Sequence, residues 1–128
     1  MSGLQRHVPR LALEWAATHP DERWRRIEGT LCFADISGFT ALAERLAQRG
    51  RQGGEELVQT LGTVFSEMLE IAGARGGSLL KFGGDALLLF FQGDDHAVQG
   101  ACAAVEMRQA LRAASNRRTS VGRLRLSM

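Results

Sequence analysis

No stretch of this chain can span a bilayer: the longest apolar run, Ala86 to Phe91, is six residues, against about twenty for a spanning helix. Met1 to Arg10 has no apolar core of the kind that marks a secretion signal. The two cysteines, Cys32 and Cys102, lack the close spacing of a metal site, and each sits in an apolar stretch where it reads as a small core residue. A cytoplasmic location with reduced thiols is expected. Strong charge of one sign is also missing, since 16 basic against 14 acidic residues leave a formal net charge of +2. That excludes a membrane surface or nucleic acid as the electrostatically dictated partner. The basic, aromatic cluster Glu22-Arg23-Trp24-Arg25-Arg26 reads as a solvated linker.

What is present is an ordinary globular composition, 45% hydrophobic and 23% charged over 128 residues, enough for one domain with a core. Leu11 and Trp15, four apart with Val8 one turn earlier, predict a short helix from Val8 to Thr18. His19-Pro20 ends it, because the residue before a proline is pushed out of helical geometry. Residues 1–28 read as a helical leader and linker, and 29–128 as the main domain.

The domain opens on an apolar strand, Leu31 to Ile36, and turns at Ser37-Gly38 into a helix from Phe39 to about Gln48. Arg51-Gln52-Gly53-Gly54 reads as a loop, with Glu55 and Glu56 at the favoured negative start of the next helix. In that helix Leu57, Leu61, Val64, Phe65, Met68, Ile71 and Ala72 follow three-four spacing and predict one buried face. Ser78 to Phe82 and Ala86 to Phe91 flank Gly83-Gly84-Asp85 and read as a hairpin. Gly93-Asp94-Asp95 offers a cap for a helix from His96 to Ala114, with Val98, Ala101, Cys102, Val105 and Leu111 as its apolar face. Ser115 to Ser120 reads as a polar connection, and Val121 to Leu126 alternates as a partly exposed strand. The order implies an α+β fold, a ferredoxin-like βααββαβ core with an antiparallel sheet behind a short N-terminal helix.

Asp35 lies at the end of an otherwise apolar strand and just before a helix start, so a carboxylate and free backbone amides meet. One attracts a divalent cation and the other an anion, which is the description of a metal-nucleotide site. Asp85, after two glycines that permit close backbone approach, could reach the same end of the sheet. Two carboxylates are the minimum equipment for two ions that assist an in-line phosphoryl displacement.

Phe-Ala-Asp-Ile-Ser-Gly-Phe-Thr at 33–40, with Leu-Lys-Phe-Gly-Gly-Asp-Ala-Leu-Leu at 80–88, resembles the catalytic domain of class III nucleotidyl cyclases, with a soluble adenylyl cyclase-like flavour. The resemblance implies that Asp35 and Asp85 hold two Mg2+ or Mn2+ ions, with the backbone carbonyl of Ile36 completing one shell. It implies that the amides of Gly38, Phe39 and Thr40 receive the triphosphate of ATP. Lys81, four positions before Asp85, matches the lysine with which adenine-selecting cyclases read the base. In a tandem pair it would instead face a degenerate site, where bicarbonate binds in soluble adenylyl cyclase. A second cyclase domain is implied as partner, by homodimer or tandem pairing. The family's carboxylate partner of the lysine, and its asparagine and arginine for the transition state, lie beyond the last strand read here. The chain is therefore expected to be incomplete at its C-terminus and inactive alone; Arg117, Arg118, Arg123 and Arg125 read as surface charges. The alternatives are a regulatory pseudo-cyclase that binds nucleotide or bicarbonate without turnover, a diguanylate cyclase suggested by Gly83-Gly84-Asp85, and a structural dimerisation domain.

Overall fold

The computed structural model describes residues 8–83, 86–115, 118–119 and 122–123. Helix α1 spans Arg10–Thr18. It begins after Pro9 rather than at Val8, as suits a residue whose fixed φ belongs at a helix start. None of its residues is fully buried: Leu11, Leu13 and Trp15 are half-buried and its alanines are exposed. The segment that follows has no regular structure and reaches β1, Thr30–Asp35. Then come α2 (Phe39–Ala47), α3 (Arg51–Ala74), β2 (Gly77–Phe82), β3 (Ala86–Phe91) and α4 (His96–Ser115).

The three strands form one antiparallel sheet in the order β1-β3-β2. Helices α2, α3 and α4 cover one face, while α1 packs against β2. Period-two alternation puts Leu87, Leu89 and Phe91 of β3 on that side, all fully buried, together with Ala34 of β1. Helix α3 meets them with Val64, Phe65, Met68 and Ala72, the face its three-four spacing foretells, while Leu57, Leu61 and Ile71 pack at the margin. Leu42 and Leu46 of α2 complete this side of the core. Cys32 packs against the same cluster, and burial raises its thiol pKa. Cys102 is half-buried on α4; both cysteines are free. No helix among the described residues is long and apolar enough to cross a membrane.

Three expectations need correction. Residues 51–54 are not a loop but the first turn of α3, so Glu55 and Glu56 sit in its second turn. The break from α2 is confined to a few residues and completed at Gly50, whose φ of 68° belongs to the left-handed region glycine favours. Second, α4 buries Gly100, Ala103, Met107, Leu111 and Ala114, of which only Leu111 belongs to the expected face. Val98 and Val105 are 62% and 57% exposed. At Gly100 the helix lies close on the sheet, where a Cβ would stand 3.1 Å from Thr30 Cγ2 and 3.4 Å from Phe91 Cδ2, and Met107 and Leu111 fill the inner face further along. Third, the connection after α4 contains a strand. Arg118–Thr119 (β4) pairs with Gly122–Arg123 (β5) as a two-stranded sheet of its own. The rest of the strand expected over Val121 to Leu126 lies outside the described residues.

One polar link ties α3 to α4. Arg75, just past α3, donates through Nε to Glu106 Oε1 at 3.0 Å and through Nη1 to Gln99 Oε1 at 3.1 Å. The guanidinium holds the Glu106 carboxyl below the ordinary glutamate value. A depressed carboxylate contributes stability that is complete above its unfolded pKa and is lost as pH falls through the lower folded value. Urea midpoints taken near neutrality and in the acid range should therefore differ more for the parent than for Glu106→Gln. Equal pH slopes in the two proteins would remove the pair from the stability account.

Candidate active site at the end of the sheet

Alternation along β1 sends Cys32 and Ala34 toward α2–α4 and Leu31, Phe33 and Asp35 to the opposite face, which is open along β1 although Phe90 and Ser78 on it are buried. Leu31 and Phe33 are 63% and 68% exposed. Across the ladder Leu31 faces Phe90, Phe33 faces Leu88, and Asp35 faces Ala86. Asp35 is thus exposed at the strand's end, between buried Ala34 and Ile36. It makes no ion pair among the described residues and is free to take a cation. Asp85 lies outside the described residues, but its chain neighbour Ala86 is the partner of Asp35 in the ladder.

The chain leaves β1 through Ile36 and Ser37 and enters α2 at Gly38, whose φ of 89° needs a residue without Cβ strain. The first amides of a helix have no intrahelical acceptor. Here no side chain caps them and no acidic residue stands in the first turn. Leu42 N–H donates back to the Gly38 carbonyl at 3.2 Å, so the amides before it are the unfilled ones. Ser37, Gly38 and Thr40 are exposed. An open positive helix end therefore begins within a few residues of the Asp35 carboxylate, and the pair can take a cation and an anion together.

Lys81 reaches this face through an irregularity. Ser78 pairs with Phe90 and Leu79 with Leu89, but Lys81 rather than Leu80 pairs with Leu88. Strict alternation would have turned Lys81 toward the helices; the extra residue turns it outward. The same shift turns Phe82 inward, where its ring meets Phe65 edge-on, 4.8 Å between centroids at 78°. Phe33, Leu88 and Lys81 thus form a row across three strands, spanning roughly 10 Å at the usual strand spacing. They line a cavity of about 200 Å3 together with Gly83 and Ala86. Gly83 N–H donates to the Ala86 carbonyl at 2.9 Å, which closes the hairpin beside it.

The structure thus gathers Asp35, the start of α2 and Lys81 at one end of this face. Phe33 and Leu88 were not singled out from the sequence as site residues; the two-residue offset between Phe33 and Asp35 was the available signal for a shared face. Among the described residues no three His, Cys, Asp or Glu side chains cluster as a metal site. A free carboxylate with an adjacent backbone carbonyl at Ile36 is nonetheless an all-oxygen donor set, which fits magnesium or manganese once a second carboxylate joins it.

The family model for the adenylate and guanylate cyclase catalytic domain matches residues 25–128. The adenylate cyclase type 10 proteins of Rattus norvegicus and Homo sapiens are each 43% identical to this chain over 67 residues; the match covers 51% of this chain and 4% of theirs. Among solved structures, the adenylyl cyclase CyaB from P. aeruginosa is 30% identical with a TM-score of 0.56, covering 66% of this chain and 43% of that one. The guanylyl cyclase Cya2 is 28% identical with a TM-score of 0.54, covering 70% and 47%. A bacterial light-regulated adenylyl cyclase shares the fold at 19% identity, with a TM-score of 0.66 over 86% of this chain and 32% of that one.

Proposed function

Because the chain belongs to the adenylate and guanylate cyclase catalytic domain family, we propose that it is the metal- and ATP-binding half of a cyclase that forms cyclic AMP and pyrophosphate. The observation that carries this reading is the pairing of Asp35 with Ala86, the neighbour of Asp85, directly beside the uncapped start of α2. In the reaction the ribose 3′ oxygen bonds to the α-phosphorus, the bond from that phosphorus to the pyrophosphate oxygen breaks, and the hydroxyl proton is lost. Asp35 and Asp85, with the Ile36 carbonyl, hold two Mg2+ or Mn2+ ions. When bound, the ions supply charge stabilisation at the attacking and leaving oxygens. The amides of Gly38, Phe39 and Thr40 receive the triphosphate and fix it for in-line attack. Lys81 donates to the base.

The open face of β1, with Leu31 and Phe33 exposed beside the site, supports a second cyclase domain as partner, in a homodimer or a tandem pair, acting in the cytoplasm. That partner supplies the donors that stabilise charge on the transferring phosphoryl group. The chain alone is expected to bind manganese-ATP with little turnover and to form cyclic AMP when paired. Base choice is the sharper test, since the similar proteins include both adenylyl and guanylyl cyclases. A hydrogen bond from a charged donor is worth about 1.5–3 kcal/mol, so Lys81→Ala in the paired enzyme should cut the preference for ATP over GTP by about tenfold or more. An unchanged ratio of cyclic AMP to cyclic GMP would remove Lys81 from base reading.

The cavity itself favours a second reading. At about 200 Å3 it is below the usual range for sites that enclose a whole ligand, roughly 300–1,000 Å3. One cation between apolar walls suits a small anion such as bicarbonate. In that reading the domain is a regulatory pseudo-cyclase, and bicarbonate binding that Lys81→Ala abolishes, in a full-length protein without turnover, would favour it.

A further inference from the structure

The face of the leader offers a tryptophan and a cleft side by side, and neither is used by the site above. Trp24 is 79% exposed, unusual for so large an apolar ring. It is not on a loose tail: Arg25 Nη1 donates to His19 Nδ1 at 3.1 Å, and Glu22 N–H donates to the His19 carbonyl at 3.3 Å, which holds the segment against the end of α1. Immediately beside it, Ala12, Trp15, Ala16, His19 and Pro20 line a cleft of about 360 Å3, rimmed by Glu22 and Arg23. The cleft is shallow and open to solvent, and its walls are largely apolar or aromatic.

We infer that these two features are the two halves of one contact, in which Trp24 of each copy of the chain enters the α1 cleft of a second copy about a two-fold axis. Self-complementarity of this kind is what an isologous interface requires. The charges agree with it. Asp21, Glu22 and Glu28 balance Arg23, Arg25 and Arg26, so two such segments approach without net repulsion. Glu22, Arg23 and Arg26 have no ion-pair partner among the described residues and supply opposite charges across the contact. An exposed tryptophan flanked by arginines is also the composition in which binding energy concentrates. Two indoles bury about 150–250 Å2 each, far less than the 1,200–2,000 Å2 of a stable interface. The contact is therefore weak, and serves to hold two leaders together beside a larger contact. It does not depend on catalysis.

Sedimentation equilibrium of the whole chain over a wide concentration range tests this directly. The parent should self-associate weakly. Trp24→Ala, which removes the indole, and Ala16→Glu, which places charge in the cleft, should each weaken association by about tenfold or more with unchanged circular dichroism. A mixture of the two variants should recover part of the association, because one Trp24 then meets one intact cleft. Such recovery is not expected of a merely misfolded variant. A parent that stays monomeric throughout overturns the inference, and so does a mixture that recovers nothing. Association that survives Trp24→Ala but is lost on Leu31→Glu belongs to the open face of β1; it overturns this contact while leaving the cyclase reading intact.

Discussion

Asp35→Ala should abolish cyclic nucleotide formation by the paired enzyme while leaving the fold in place. Asp35 is exposed at the end of β1 and makes no ion pair among the described residues, so its removal costs little packing. Surface changes of this sort usually stay within about 0.5 kcal/mol, and the melting curve should barely move. Activity is different, because metal-assisted stabilisation of the reacting oxygens is worth several kcal/mol, and about 1.4 kcal/mol is a factor of ten. A fall of at least about a hundredfold in cyclic AMP from manganese-ATP is expected. Asp35→Asn keeps the shape and one acceptor but loses the charge, so its residual activity should rise with manganese concentration more steeply than the parent's. Asp94→Ala, on an exposed turn before α4, is the matched loss of a carboxylate away from the site and should behave as the parent. Comparable activity in Asp35→Ala and Asp94→Ala would sink the assignment of Asp35 and, with it, the metal-binding reading of this end of the sheet.

Which parts of this arrangement could be read from the sequence follows from how local their causes are. The α3 face was legible because Val64, Phe65, Met68 and Ala72 repeat with the helix's own period and meet a core that covers one side only. Asp35 was legible because one carboxylate interrupts an apolar strand just before a helix start. Helix α4 misled because it is apolar on two sides. Val98, Ala101, Cys102 and Val105 form one stripe and Gly100, Ala103, Met107 and Ala114 another, and hydrophobicity alone favours the branched residues. The buried stripe is the one that sets Gly100 where α4 comes closest to the sheet, a tertiary condition that hydrophobicity does not record. The row Phe33–Leu88–Lys81 was illegible for a related reason. It depends on the register of three strands and on one extra residue between Leu79 and Lys81, and neither is written in local periodicity.

The misread turn at 51–54 carries the second large expectation. Gly53 and Gly54 are neighbours in the first turn of α3, so their helical propensities are alike, yet their surroundings are opposite. A Cβ on Gly54 would meet nothing within 4 Å, whereas one on Gly53 would fall 1.7 Å from the carbonyl oxygen of Leu46 and 2.7 Å from its carbon. Backbone cannot swing aside as a flexible side chain does, so α2 and α3 must part. Gly54→Ala should stabilise the protein by about 0.5–1 kcal/mol, the usual gain in a helix. Gly53→Ala should lose more than that gain, a net cost of about 1–3 kcal/mol or greater, as overpacking of a close contact generally does. The effect should also reach the site. Leu42 and Leu46 are fully buried and anchor α2 in the core, and a displaced Leu46 carbonyl tilts the helix whose opposite end carries the amides of Gly38, Phe39 and Thr40. Manganese-ATP binding should accordingly weaken in Gly53→Ala and stay unchanged in Gly54→Ala, at a temperature where both are folded. Urea denaturation and nucleotide titration of the two variants separate these effects. Equal stability would show that the α2–α3 junction yields without cost. A destabilised Gly53→Ala with parental nucleotide affinity would show instead that the amide end of α2 is held by the sheet, independently of its far end.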